Sequence, residues 1–256
     1  AGAMSNLVDR FIVGALIGPA AAGVYGVCLQ LAQQVHLLLY RGLAYMHPAA
    51  SRDTASGAGA EALSASYRTA VWLTLAVVFA ISLPLYVLAD QVLTLWVGAD
   101  FAEQGATLLR WLVIYFAIMG TTIAPYMLVN GAGFPGWNTT GGLLAGGTIL
   151  VVASQALPVL GLDGIALARM ASVPMIGFTL YALHRKVMPG QGLKQTLLMV
   201  LGLGVICALV ILVNAVLNPL VPARWIPVIG AVLGLTAAGA GLVIGPFLLL
   251  RRMGRA

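Results

Sequence analysis

Charged side chains are scarce in this chain: they make up 8% of its 256 residues, whereas 61% of the residues are hydrophobic. Soluble globular domains carry about 25% charged residues, so this composition excludes an ordinary soluble domain. The mean hydropathy of +1.01 has the same implication. The sequence therefore predicts an integral membrane protein, built from spans of about 20 apolar residues each.

Cysteines and catalytic motifs are also few. Cys28 and Cys207 both lie in apolar runs without CxxC spacing, so we expect small buried side chains rather than a disulfide or a metal pair. No HExxH, GxSxG or phosphate-loop motif is present, and none of these chemistries has its usual residues. We therefore expect no catalytic residue, no metal and no cofactor; a membrane-embedded acyl or glycosyl transferase is the alternative from a different class.

Eight apolar segments predict an all-α, polytopic transmembrane bundle. They cover about 4–17, 20–47, 68–89, 104–130, 137–158, 164–185, 193–217 and 226–250. Pro48 is expected to end the second segment, and Pro84 to kink the third without ending it. The small, polar stretch 51–66 is expected to form an exposed loop, with room for a short helical turn.

The charges between these segments indicate an orientation. One side would hold the loops 48–68 and 185–194 and the C-terminal tail, and the other side the turns 18–20, 90–103, 159–163 and 218–225. The first side has eight basic residues: Arg52, Arg68, Arg185, Lys186, Lys194, Arg251, Arg252 and Arg255. The second has only Arg224. The positive-inside rule then predicts that the tail and both termini are cytoplasmic. The excess of basic residues is thus explained by topology rather than by nucleic-acid binding.

Four arginines lie within the apolar segments, and they are the candidates for substrate binding. They are Arg10, Arg41, Arg110 and Arg169. A cation near the bilayer centre costs about 2.5–3.5 kcal/mol on insertion scales, so such residues tend to face a bundle interior or a water-filled cavity. All four belong to the first six segments, which suggests a cavity for an anion such as phosphate. For Arg41 and Arg110, near helix ends, snorkelling to the headgroups is the alternative.

Two aspartates are weaker candidates for ion coupling. Asp9 directly precedes Arg10, so an ion pair with a residue of a neighbouring helix is possible for either of them. Asp163 precedes the sixth segment, where capping of that helix is the simpler interpretation.

Four stretches resemble polysaccharide and O-antigen (Wzx-like) flippases of the multidrug/oligosaccharidyl-lipid/polysaccharide exporter superfamily. They are NLVDRFIVGALIGPAAAGVYGVCLQLAQ (6–33), HPAASR (47–52), LTLWVGADFAEQGATLLRWL (93–112) and GLDGIALARMAS (161–172). The order and spacing of these motifs carry the resemblance, which covers about residues 6–186. The last two segments match only in hydrophobicity.

The resemblance implies two six-helix bundles around a central cavity, often with two extra helices. Residues 1–186 would be the second bundle, with its first helix truncated, and residues 187–256 would be two additional helices and a basic cytoplasmic tail. The missing N-terminal bundle would come from the same protein or from a partner chain.

The implied function is transport of a lipid-linked oligosaccharide, a polyprenyl-pyrophosphate sugar, across the bacterial cytoplasmic (inner) membrane for polysaccharide biosynthesis. Besides this substrate the expected partners are membrane lipids. Within the same superfamily, a lipid II flippase or a cation-coupled multidrug exporter is the alternative. An exporter of cationic drugs should favour acidic cavity residues, whereas here the basic ones predominate.

Overall fold

The computed structural model describes residues 2–57 and 59–217, with side chains from Asp9 onward, and within these ranges it contains helices and turns but no strand. The α-helices are α1 (Gly2–Leu16), α2 (Pro19–Ala32), α3 (Gln34–Leu43), α4 (Met46–Ala55), α5 (Gly59–Val87), α6 (Ala89–Trp96), α7 (Ala99–Gly120), α8 (Ile123–Gly131), α9 (Pro135–Leu160), α10 (Leu162–Ala171), α11 (Ile176–Ala182) and α12 (Leu193–Leu217). A 3-10 turn, Val173–Met175, precedes α11, and a π-helical turn, Leu183–Val187, follows it.

Six helical stretches are long and apolar enough to cross a membrane. Among the described residues they are Pro19–Ala55, Ala60–Val87, Ala99–Gly131, Pro135–Leu160, Leu162–Val187 and Leu193–Leu217. The described residues are all-α, as predicted, and the length and composition of these six stretches support a multi-pass membrane protein. The first of the eight predicted segments is the 15-residue helix α1, and the eighth, 226–250, lies outside the described residues.

Two boundaries predicted around Pro48 are wrong. The chain bends at 44–45, and Pro48 lies in the first turn of α4, where its missing N–H has no intrahelical acceptor to lose. Residues 51–66 are mostly helical rather than a loop with one short turn, because α4 continues to Ala55 and α5 begins at Gly59. Alanines and serines here sustain helix, and only the short connection between α4 and α5 interrupts it.

The predicted outer loop 90–103 is also largely helical. Helix α5 passes through Pro84, as expected, and α6 then runs to Trp96. The only sharp turn is at Val97–Gly98, where Gly98 adopts φ 120°, a conformation that favours glycine. Asp90 therefore belongs to a helix rather than to a loop.

The connections define two ends of the bundle. The basic end holds the α4–α5 and 188–192 connections, with Arg52, Arg68, Arg185, Lys186 and Lys194 near them. The acidic end holds the turns at 17–18, 97–98 and 161, with Asp100, Glu103 and Asp163. Helices α5 and α12 both leave the basic end and run parallel, since Tyr67 bonds Thr196 and Gly202 lies against Leu75.

Glycines allow the closest helix contacts. A Cβ on Gly164 of α10 would lie 2.6 Å from the backbone carbon of Ala156 in α9, and one on Gly131 of α8 would lie 2.5 Å from the carbonyl oxygen of His47. Real Cβ atoms do not approach so closely, so these positions require glycine. The α9–α10 contact places Arg169, one and a half turns beyond Gly164, toward the centre of the bundle.

Candidate functional site

An ion pair between Arg169 of α10 and Asp9 of α1 lies at the centre of the bundle. The Nη2 atom of Arg169 donates to Oδ2 of Asp9 at 2.6 Å. The Nε atom of Arg169 donates to the hydroxyl oxygen of Tyr25 in α2 at 2.9 Å, and that hydroxyl donates to the same Asp9 oxygen at 3.1 Å. Asp9 is 2% exposed, Tyr25 0% and Arg169 3%. We name these three residues the buried triad.

The turns at the acidic end set the depth of the buried triad. Asp9 lies seven residues before the end of α1, Tyr25 six residues after the start of α2, and Arg169 seven residues after the start of α10. At 1.5 Å per residue each is about 10 Å from the end of its helix. Three helices thus bring side chains 16 and 160 residues apart in sequence to one level.

Aromatic rings of α7 complete the surroundings of Arg169. Its guanidinium carbon is 5.2 Å from the ring centre of Tyr115 and 5.6 Å from that of Phe116. Rings within about 6 Å attract a cation through their π face. Because a carboxylate, a hydroxyl and two rings surround it, Arg169 is neutralised inside the protein and is not presented to a cavity. The arrangement is suited to holding α1, α2, α7 and α10 together.

A second ion pair joins Arg110 of α7 to Asp90 of α6. The Nη2 atom of Arg110 donates to Oδ2 of Asp90, and its Nε donates to the carbonyl oxygen of Tyr86 at 3.3 Å. The side chains are 17% and 41% exposed, so this pair is partly accessible. Arg110 has a partner within the bundle rather than reaching to the headgroups.

The other two candidate arginines, Arg10 and Arg41, are exposed. The Nη2 atom of Arg10 donates to the carbonyl oxygen of Gly26 at 3.3 Å, and its guanidinium lies over that glycine, where a Cβ would be 3.6 Å from Cζ. Arg10 and Asp9 are neighbours on one helix, about 100° apart around its axis. This is why Asp9 lies inside the bundle and Arg10 outside it.

A row of exposed polar side chains runs between these two arginines. Gln30 and Gln34 are both exposed, and Nε2 of Gln34 donates to the carbonyl oxygen of Gln30 at 3.0 Å. Both lie in the span Pro19–Ala55. We name Arg10, Gln30, Gln34 and Arg41 the polar face.

Asp163 is exposed in the first turn of α10. The cap position belongs to Gly161, and no side chain bonds the helix start, so the expected capping by Asp163 is wrong. The structure thus divides the six candidates into a buried pair (Asp9 and Arg169), a half-buried arginine and three exposed residues.

Sequence reasoning missed Tyr25 and Asp90 as partners of these arginines. Tyr25 belongs to an apolar run with no feature to separate it from other buried tyrosines. Sequence reasoning also missed two buried hydrogen-bond networks, one around Asn138 and one around Thr196.

Within residues 2–57 and 59–217 no group of three His, Cys, Asp or Glu side chains could hold a metal. No family model, curated protein or solved structure matches this chain.

Proposed function

We propose that this protein is one bundle of a transporter that moves a lipid-linked oligosaccharide across the bacterial cytoplasmic membrane, with both termini in the cytoplasm. The observation that carries the proposal is the polar face. Gln30, Gln34 and Arg41 are exposed on the candidate span Pro19–Ala55, and Arg10 of α1 is exposed beside it. The four motifs that resemble Wzx-like flippases support the same proposal.

The polar face is unsuited to lipid. An amide transferred to an apolar medium without a hydrogen bond costs roughly 2–7 kcal/mol, depending on the reference state, and an arginine near the bilayer centre costs about 2.5–3.5 kcal/mol. Gln30, Gln34 and the two arginines together would oppose insertion if hydrocarbon surrounded them. Such residues instead line water-filled paths or face another polar surface.

The dimensions of the polar face fit a path across the membrane. Arg10 lies beside Gly26, and fifteen residues separate Gly26 from Arg41 along α2 and α3. At 1.5 Å per residue this is about 22 Å, most of the roughly 30 Å hydrocarbon core. Arg10 lies toward one end of the polar face and Arg41 toward the other, and the two glutamine amides lie between them.

The chemistry of the polar face favours an anionic, hydroxyl-rich substrate. Both of its charges are positive, and guanidinium groups bind phosphate oxygens through paired hydrogen bonds. Glutamine amides both donate and accept hydrogen bonds, as sugar hydroxyls do. A pyrophosphate-linked oligosaccharide presents both groups, and its polyprenyl chain can stay in lipid. The second bundle, from the same protein or a partner chain, would form the opposite wall, and rocking of the two would alternate access.

The buried triad supplies the rigid support for this face. Asp9 and Tyr25 come from the resembling stretch 6–33, and Arg169 comes from the stretch 161–172. The convergence of two of the motifs on one hydrogen-bonded cluster supports the resemblance. In this proposal Arg10 and Arg41 contact substrate, whereas Arg169 positions α1 and α2.

The test replaces Arg10 and Arg41 by alanine, singly and together, in cells whose surface polysaccharide depends on this protein. We expect less surface polysaccharide and accumulation of the lipid-linked precursor, at an unchanged level of the protein, because both side chains are exposed. Arg52→Ala, another exposed arginine near the basic end, is the matched control and should leave transport normal.

Normal polysaccharide in the Arg10/Arg41 double variant would contradict the proposal. Loss of drug resistance on deletion, with polysaccharide unaffected, would favour the multidrug exporter instead.

A further inference from the structure

Four cations lie on elements that join at one corner of the basic end, where hydrogen bonds link α5, the π-helical turn and α12. They are Arg68, Arg185, Lys186 and Lys194, and all four are exposed. Within the described part of the chain none of them makes a hydrogen bond or an ion pair. We name these four residues the basic corner.

A buried hydrogen-bond chain fixes the positions of the basic corner. The Tyr67 hydroxyl lies 2.9 Å from Oγ1 of Thr196, and Nε2 of His184 lies 3.0 Å from the same oxygen. The Gln195 amide donates to Oγ of Ser64 at 3.4 Å. Arg68, Arg185 and Lys194 directly adjoin Tyr67, His184 and Gln195 in sequence, and Lys186 follows Arg185. All four cations therefore lie close to one hydrogen-bonded junction.

The tautomer of His184 follows from its partners. Its Nδ1 atom faces the carbonyl oxygen of Gln191 at 3.3 Å, and a carbonyl can only accept a hydrogen bond. Nδ1 therefore donates; in the neutral imidazole Nε2 then accepts from the Thr196 hydroxyl, and Tyr67 donates to Thr196. The bond to Gln191 ties the loop 188–192 to this junction. His184, Arg185 and Lys186 all belong to the π-helical turn, and π-helical turns are frequent at functional sites.

None of the Asp and Glu side chains neutralises the basic corner. All seven lie in the described part of the chain. Asp9 and Asp90 are engaged in ion pairs, and Asp100, Glu103 and Asp163 lie at the acidic end. Asp53 and Glu61 are near the basic end and pair with none of the four cations. The four cations are therefore available to an anion from outside the chain.

The surface beside the basic corner is apolar. Lys194, Leu198 and Leu201 recur at i, i+4 and i+7, so they lie on one face of α12. Leu198 is 37% exposed and Leu201 68% exposed. A cation therefore stands at the helix end with exposed leucines running from it into the membrane. Such a surface is complementary to a phospholipid, whose anionic phosphate carries apolar acyl chains.

We propose that the basic corner binds the headgroup of an anionic phospholipid of the adjacent leaflet, with an acyl chain along Leu198 and Leu201. Basic pockets between membrane helices recognise such headgroups. The assignment does not depend on the proposed transport function. Helix α12 packs mainly on α5. The bound lipid would provide a further link between α12 and the rest of the bundle.

The test uses the full 256-residue protein in detergent micelles, with phosphatidylglycerol, phosphatidylcholine, a polyprenyl phosphate or inorganic phosphate added at physiological ionic strength. Binding is read from the rise in the thermal unfolding midpoint with ligand concentration and from the amount of phosphatidylglycerol that co-purifies. The corner variant is Lys194→Gln. The matched control is Arg52→Gln, which removes one exposed charge from α4.

Phosphatidylglycerol should stabilise the unmodified protein, and phosphatidylcholine and phosphate should not. Since each basic residue near a membrane surface contributes roughly fivefold to the attraction, the corner variant should bind about fivefold more weakly. The control should stay within about twofold, because Arg52 belongs to α4 and is not one of the four residues of the basic corner.

Three results would overturn the assignment. Equal weakening in the control variant would mean diffuse attraction to the basic end. Equal stabilisation by inorganic phosphate would mean a free-anion site. Stronger stabilisation by a polyprenyl phosphate than by phosphatidylglycerol would place the corner on the substrate path.

Discussion

The buried triad makes a sharp energetic prediction, because its ion pair is almost completely removed from solvent. Asp9 and Arg169 are 2% and 3% exposed, and removing one member of such a pair leaves the other charge without compensation. That change costs about 3–5 kcal/mol. We therefore expect Arg169→Met and Asp9→Leu each to lower the free energy of unfolding by about this amount.

The double variant should be much less unstable than the sum of the two single variants. Replacing both charges by apolar side chains removes the desolvation cost together with the attraction. The Tyr25 hydroxyl then loses both partners, which costs about 1–3 kcal/mol. The coupling energy between positions 9 and 169 should thus reach about 3 kcal/mol, the upper part of the range for residues in contact.

The assay is unfolding of the protein in mixed micelles of increasing dodecyl sulfate content, followed by tryptophan fluorescence. Arg110→Met is the matched control, since it breaks an ion pair whose members are 17% and 41% exposed. That pair is less deeply buried than Asp9 and Arg169, so the control should cost less than Arg169→Met. If Arg169→Met costs no more than Arg110→Met, or if the single variants at 9 and 169 are additive, the reasoning is refuted.

Two further variants test neighbouring contacts by the same unfolding assay. Tyr25→Phe should cost about 1–3 kcal/mol, because it deletes the hydroxyl that accepts from Arg169 and donates to the buried carboxylate; an unchanged unfolding curve would show that the bridge contributes nothing. Gly164→Ala should cost about 1–3 kcal/mol by overpacking, since its Cβ would meet the backbone of Ala156 at 2.6 Å. Gly147→Ala on α9 meets open space and should be neutral or stabilising; equal effects at 164 and 147 would contradict the packing argument.

The membrane class and the position of most spans follow from hydropathy, because a span needs a long apolar run whatever its neighbours are. Helix ends are less predictable. Pro48 illustrates the difficulty: proline disrupts a helix interior but suits a first turn, and only the bend at 44–45 decides which position it occupies. Residues 51–66 were misjudged because small polar residues are compatible with both loop and helix.

The candidate site was predictable only as a list of charges. Arg10 and Arg169 lie at similar depths from their helix ends, so an argument from depth treats them alike. Their difference lies in direction around the helix: Arg169 points at Asp9 across the bundle, whereas Arg10 points outward. That pairing joins residues 160 positions apart, and local sequence carries no signal of it. An experiment on Arg169 therefore tests stability first, and an experiment on Arg10 tests transport.

The central claim is that the polar face lines a water-filled path rather than lying in lipid. The direct measurement is labelling of single cysteines in native membranes by a membrane-impermeant, water-soluble thiol reagent, in full-length protein with Cys28 and Cys207 replaced by alanine. Gln34→Cys on the polar face should be labelled, whereas Leu201→Cys, on the exposed apolar side of α12, should not. Labelling of Leu201→Cys with Gln34→Cys unreactive would contradict the account.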